Sequence, residues 1–334
     1  MNVYKKIIFS ITAILVMSVS SIFVFACKKE STGTVIGISK FMQHPALDAC
    51  EKGIMDALAE RGHKVTYDLQ NANADASTSS QIAEKFRSEK VAVAVGIATP
   101  VAQALANTIK NIPVVFTATT DPIGAGLVKS NENGEGNVTG ASDKISTEEN
   151  IAIFKEITNI KVLGYIYTPS EANSLAELEL VKAGAAANDL ELVTQMVNNS
   201  AEVKQAAQVI VKRVGGIYMS TDSTVFSALS AVIEVFNGAK KPIFAGDASG
   251  AMDGGCLIAK GSNYYRLGLS TGYIVSDILN GKKPADIPVK FATQSHELDF
   301  LIDLDNAALC GITIPQRYID EASAIIENGV LTER

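Results

Sequence analysis

Apolar and polar positions follow one another in this chain as short buried strands and one-sided helices, most clearly between Val91 and Pro122. Val91–Ile97 is a continuous apolar run, too short for a helix and bounded by Lys90 and Thr99-Pro100, so it predicts a buried strand. Thr99 suits an N-cap and Pro100 the first helical position, where a proline has no N–H to lose. Ala, Leu and Ile at helical spacing carry that helix through Ile109. Pro113 opens a second apolar run, Val114–Ala118, which ends in Thr119-Thr120-Asp121-Pro122. Strand, helix and strand with short joints form a βαβ unit, and such units build parallel sheets covered on both faces. Thr99 and Thr119–Asp121 follow the carboxyl ends of strands, which is where open α/β sheets hold ligands.

The same order returns in the second half. Gly216–Ser220 runs into Thr221-Asp222-Ser223-Thr224 and a helical stretch to Val235, and Lys241-Pro242 precedes Ile243–Ala245 and Gly246-Asp247. Pro113 and Pro242 open equivalent strands; Thr99 and Thr221 close equivalent ones. The expectation is an α/β protein of two similar doubly wound parallel-sheet lobes facing one another.

Around these units, Thr34–Ser39 predicts the first strand, Lys40–Pro45 its loop, and Leu47, Cys50, Ile54 and Leu58 one apolar face of a helix that Gly62 stops. Val65, Tyr67 and Leu69 alternate as a strand, Gln70–Asn73 ends it, and Ala76–Arg87 is helical. Ser146-Thr147-Glu148-Glu149 reads as a capping box for a helix through Ile157. Lys161–Tyr167 and Leu190–Val197 are strands, Glu202–Arg213 a helix, and Thr168–Ser174 the counterpart of the Lys40–Pro45 loop. A strand around Cys256–Ala259 is followed by the polar run Gly261–Tyr265 and a helix to Leu279. The expected division is 34–158 for the first lobe and 159–291 for the second. The extended stretch from 284 returns the chain to the first lobe, so that 292–334 belongs there, with a last helix over Gln316–Ile326. Several crossings between lobes make a hinge rather than a linker.

With 334 residues, the chain is long enough for two such lobes. Residues 1–27 stand apart: Lys5-Lys6, then apolar Ile7–Ala26, then Cys27 and a polar tether over 28–33. This is a secretory signal, and a small residue directly before Cys resembles a lipobox in which Cys27 takes the lipid. The other reading is an uncleaved membrane anchor, since the apolar run just spans a bilayer. Either way the globular part is extracytoplasmic. The net charge of −7, with no Lys/Arg cluster, argues against nucleic acid as a partner. Of the four cysteines, Cys27, Cys50, Cys256 and Cys310, no pair has metal-ligand spacing. Neither a metal nor a cofactor is expected.

There are three histidines and no HExxH, GxSxG, Walker A or GxGxxG pattern, so no local catalytic signature stands out. Polar and aromatic groups at strand ends stand out instead. Helix starts at Thr99-Pro100 and Ser170–Ser174 offer N–H groups to a carboxylate. Asp222 offers a charge to an ammonium, or else caps its own helix. His44 either lines a ligand or bonds within its turn. Phe41, Tyr167 and one of Tyr264 and Tyr265 suit an aromatic ligand. The candidate ligand-binding set is Phe41, Gln43, His44, Thr99, Thr120, Asp121, Tyr167, Glu171, Asn173, Ser174, Asp222 and Asp247.

A family resemblance rests on motifs spread over nearly the whole chain after residue 33. They are Phe41–Asp48, Gln70-Asn71-Ala72, Ile97–Ala104, Pro113–Phe116, Thr120-Asp121-Pro122, Asn137–Gly140, Glu171–Ser174 and Tyr264–Gly268. In these the chain resembles ABC-transporter substrate-binding proteins of the tryptophan/tyrosine type. The resemblance implies a type I periplasmic-binding fold, a lipid-anchored monomer outside the cytoplasmic membrane, and delivery of a small ligand, such as an aromatic amino acid, to a membrane permease. Two other classes share a two-lobed α/β build: an enzyme acting on a small nucleoside or sugar, and the core of a sugar-responsive repressor. The secretory signal and the lack of a helix-turn-helix argue against the repressor.

Overall fold

The computed structural model describes residues 33–334, so the signal and Cys27 lie outside the described residues. The first sheet holds β1 (Thr34–Lys40), β2 (Val65–Asn71), β3 (Val93–Ile97), β4 (Val114–Thr117) and β5 (Val138–Gly140), in the order β2-β1-β3-β4-β5. The pairs β1–β3, β3–β4 and β4–β5 are parallel. Helices α1 (Pro45–Glu60), α2 (Ala76–Glu89) and α3 (Thr99–Thr108) connect the first four strands. In α1 the residues Leu47, Cys50, Ile54 and Leu58 are buried, the face expected from their spacing, and Pro45 opens the helix. Asp75 caps α2 by accepting from Thr78 N–H.

The second sheet is built from β6 (Val162–Tyr167), β7 (Glu191–Met196), β8 (Gly216–Met219), β9 (Ile243–Ala245), β10 (Ile258–Ser262), β11 (Leu298–Asp303), β12 (Ala324–Glu327) and β13 (Val330–Glu333). Its order is β13-β12-β11-β10-β9-β8-β6-β7. One face packs α4 (Thr147–Thr158) and α5 (Ala172–Ala187); the other packs α6 (Val203–Ile210) and α8 (Leu229–Gly238), each face with its own apolar core. Ser146 caps α4 through Glu149 N–H, as its sequence motif predicts, and Asn159 ends it in the left-handed conformation.

The lobe boundaries differ from those the sequence suggests. Ile151, Phe154 and Ile157 of α4 pack in the second lobe, so the first crossing falls near residue 141. Helix α9 (Tyr264–Leu279) belongs to the first lobe, where Leu267, Ile274 and Val275 join its core against α1. That approach is close: a Cβ on Gly53 would stand 2.3 Å from the Tyr265 carbonyl oxygen, and one on Gly268 2.3 Å from that of Cys50. Residues 298–334 go to the second lobe, because β11 pairs antiparallel with β10 and β12 and β13 extend that edge. The expected last helix is only α11 (Gln316–Glu321), and Ala324–Glu327 is strand.

Three crossings result, and they are bonded to one another. Ser142 N–H donates to the Lys290 carbonyl at 2.8 Å, Asn263 N–H to that of Glu297 at 2.8 Å, and Ser262 Oγ to that of Asp143 at 3.0 Å. Such a hinge lets the lobes rotate while keeping each one intact.

Candidate functional site

The carboxyl ends of the two sheets face each other across a cleft of about 400 Å³, open mouth included. From the first lobe it takes Met42, His44, Ala46 and Leu47 around the start of α1, Ala98 after β3 and Ala118 after β4. Asp143 and Tyr264 enter from two of the crossings. Asn173, Thr221, Ser223, Phe226 and Asp247 come from the second lobe. None of these lining residues is Lys or Arg.

The first-lobe rim is strained. Ala98 stands at φ 81°, ψ 152° as the N-cap of α3, a region almost restricted to glycine, and Ala118 has φ 51°. The expected N-cap, Thr99, is instead the first helical residue, and no side chain caps α3. Pro100 brings no N–H, and the buried hydroxyls of Thr99 and Thr119 have no partner among the described residues. A helix start without a side-chain cap, beside unpaired hydroxyls, suits a ligand carboxylate.

His44 stands at the rim of the first lobe. It lines the cleft, and its Nδ1 accepts from Ala46 N–H at 3.2 Å, capping α1. That bond assigns the ring proton to Nε2. Burial lowers the imidazole's pKa to about 4, against the upward pull of Asp48, so the ring is neutral at pH 7. It meets Phe226 of the opposite lobe edge-on, with centroids 5.5 Å apart. Thr120 Oγ1 and Thr221 Oγ1, 3.0 Å apart, make a second contact between lobes.

Two acids line the cleft. Asp143 Oδ2 accepts from the Tyr264 hydroxyl at 2.9 Å, while Oδ1 is buried and has no partner among the described residues. Asp247 Oδ1 accepts from Ser249 N–H at 2.8 Å, and the Ser249 hydroxyl lies near the same carboxyl. Burial raises both carboxyls to about 6. A charge held this far from water needs a partner, and an ammonium supplies one. Asn173 lines the same cleft: its Nδ2 donates to the Thr221 carbonyl at 3.1 Å, and its buried Oδ1 has no partner among the described residues.

Asp222 is different: its carboxylate is occupied by protein donors, as the capping reading expects. Its Oδ1 accepts from Val225 N–H at 2.9 Å and Thr168 Oγ1 at 3.1 Å; its Oδ2 accepts from Thr168 N–H and Ser174 Oγ, both at 2.7 Å. Two carboxylate oxygens offer about four acceptor positions, and all are filled. Glu171 completes the frame, accepting from Ser223 N–H at 3.2 Å, Thr224 N–H at 3.0 Å and Thr224 Oγ1 at 2.6 Å. Between them the two acids hold the start of the short helix α7 (Ser223–Phe226), and burial raises the pKa of each. The helix start expected at Ser170–Ser174 is thus taken up with this frame, Ser174 included.

Of the sequence candidates, His44, Asn173 and Asp247 line the cleft and Thr120 lies on its seam. Phe41 is buried in the first-lobe core, and Tyr167 stacks on Tyr165 with rings 6.3 Å apart. Exposed Gln43 bonds Asp48, and Asp121 holds Gly124 N–H at 2.9 Å. The aromatic wall is Phe226 and Tyr264. Asp143 and Phe226 were missed, although Asp143 obeys the strand-end rule that singled out Thr99.

Two α/β lobes, a three-segment hinge and a polar cleft between strand ends define a binding protein with the type I periplasmic-binding fold. The chain belongs to the ABC transporter substrate binding protein family, whose model matches residues 35–326. This is an extracytoplasmic class of binding proteins, not of enzymes. Among the described residues, no helix is long and apolar enough to cross a membrane. The chain is 38% identical to a tyrosine-binding protein of Clostridioides difficile over 81% of its own length and 79% of the relative's. It superposes with TM-score 0.83 on an ABC domain from Streptococcus pneumonia in complex with L-Trp, at 35% identity over 88% of this chain and 100% of the other. A ligand-free, open substrate binding protein from Clostridium difficile gives 0.66, at 33% identity over 88% and 99%. Within this chain the lobes touch through Thr120–Thr221 and His44–Phe226.

Proposed function

We propose that this protein binds an aromatic amino acid, tyrosine or tryptophan, between its lobes and delivers it to an ABC permease. The observation that carries this is the placement of complementary, unpaired poles around one aromatic-lined cleft. The ligand's carboxylate meets the α3 start at Ala98 and Thr99. Its ammonium meets Asp247 and the Asn173 carbonyl oxygen, both lining the cleft from the second lobe. Phe226, Tyr264, Met42 and Leu47 enclose the ring. The sequence similarity to a tyrosine-binding protein and the likeness to an L-Trp complex favour the same ligands. Titration calorimetry on protein unfolded, stripped and refolded should give heat with tyrosine or tryptophan and none with ribose or adenosine. The opposite pattern would refute the aromatic ligand. Because the chain has no tryptophan, fluorescence of bound tryptophan can be followed directly.

The reading includes a lipid at Cys27 and a monomer in solution. The apolar run ending in Ala26-Cys27 supports the lipid. Palmitate labelling of cells should mark the wild type and not Cys27→Ser; equal labelling would refute the anchor.

A further inference from the structure

An amino acid's ammonium needs one buried acid, yet two line this cleft. Asp247 lines it with Asn173 and Thr221 from the second lobe. Asp143 stands on the crossing after β5, close enough to feel the Asp247 charge, with one oxygen held by Tyr264 and the other buried, unpaired and lining the same cavity. No lysine or arginine lines the cleft to neutralise it. Tyr264 ties Asp143 to the aromatic wall, where the ligand's ring, not its ammonium, would lie.

We propose that Asp143 reads a hydrogen-bond donor on the ligand's side chain, a phenol O–H or indole N–H, and so excludes aromatic amino acids that lack one. The inference rests on the aromatic reading above and sharpens it. A ring without a donor leaves Oδ1 buried without a partner, and sites built to bond a substrate O–H or N–H reject the analogue lacking it strongly. Tyr264 is the positioning residue, because its hydroxyl fixes one carboxylate oxygen and turns the other to the cavity. Burial raises the Asp143 carboxyl to about 6, against the downward pull of the Tyr264 hydrogen bond.

The test pairs ligands that differ only in the donor: tyrosine with phenylalanine, and tryptophan with 3-benzothienylalanine. Calorimetry on the wild type should show the donor-bearing member of the tighter pair bound at least about a hundredfold more strongly. A ratio below tenfold overturns the proposal. In Asp143→Asn the ratio should fall at least tenfold, chiefly because the donor-free ligand binds better; an unchanged ratio also overturns it. Tyr264→Phe, which keeps the ring, should reduce the ratio in the same direction, and a retained wild-type ratio there removes the positioning role. If phenylalanine binds as well as tyrosine, the aromatic reading survives and this one falls. If none of the four compounds binds, both fall.

Discussion

The two rims of the cleft are built to opposite rules. On the first lobe the strand ends are strained at Ala98 and Ala118, α3 lacks a side-chain cap, and the hydroxyls of Thr99 and Thr119 are unpaired. On the second lobe the turn after β8 is saturated: Asp222 and Glu171 between them accept seven hydrogen bonds, from Thr168, Ser174, Ser223, Thr224 and Val225. Strain and unpaired groups persist only where surrounding structure imposes them, and they mark binding surfaces; saturated buried networks mark frames. Two acids at equivalent strand ends, Asp222 and Asp247, therefore do different work.

The strongest way to break this comparison is at the frame. Asp222→Asn turns an amide toward Thr168 N–H and the Ser174 hydroxyl and should cost about 3 kcal/mol of stability in denaturant unfolding. A loss below about 0.5 kcal/mol would mean that the turn is not held this way.

Asp247→Asn should act in the opposite sense on the protein without ligand. Its carboxyl rises from 3.8 to about 6, so between those pH values the folded state holds a proton that the unfolded state has released. Stability due to this group therefore falls as pH rises through that window, and the penalty is complete above pH 6. The variant should be more stable than wild type by up to about 3 kcal/mol at pH 7, the gap closing as pH falls toward 4. Thermal melts at pH 7 and 4 would measure it, and a variant less stable at pH 7 contradicts the argument.

Much of this arrangement is legible in the sequence. The apolar runs and Pro-opened strands give the two lobes, and the strand-end rule gives Thr99, Asn173 and Asp247. It cannot separate Asp222 from Asp247, because the groups that saturate Asp222, Thr168 and Ser174, are distant in the chain and arrive only by folding. Nor does it give the lobe of the last strands. The stretch from 284 reads as extended, but the pairing of β11 within it to β10 is a long-range choice. Asp143 is hidden for a local reason: β5, unlike the equally short β9, has no opening proline to mark it.

The smallest effect should come from the seam. Thr120→Val removes the hydrogen bond to Thr221 and should weaken ligand affinity by no more than about 1 kcal/mol, since one neutral hydrogen bond is at stake. Small-angle scattering should still show a smaller radius of gyration with tryptophan than without it. If this variant loses all closure, the seam outweighs the ligand poles and their ranking here is wrong.

The contrast between the rims is tested most directly by titrating L-tyrosine and L-tryptophan into folded Asp247→Asn and Asp222→Asn, side by side with wild type. Losing a buried charge partner costs about 2–5 kcal/mol, so Asp247→Asn should bind whichever ligand the wild type prefers at least about thirtyfold more weakly. Asp222→Asn, corrected for its folded fraction, should stay within about threefold of wild type, because its carboxylate faces only protein donors. Intact affinity in Asp247→Asn together with lost affinity in folded Asp222→Asn would contradict the account.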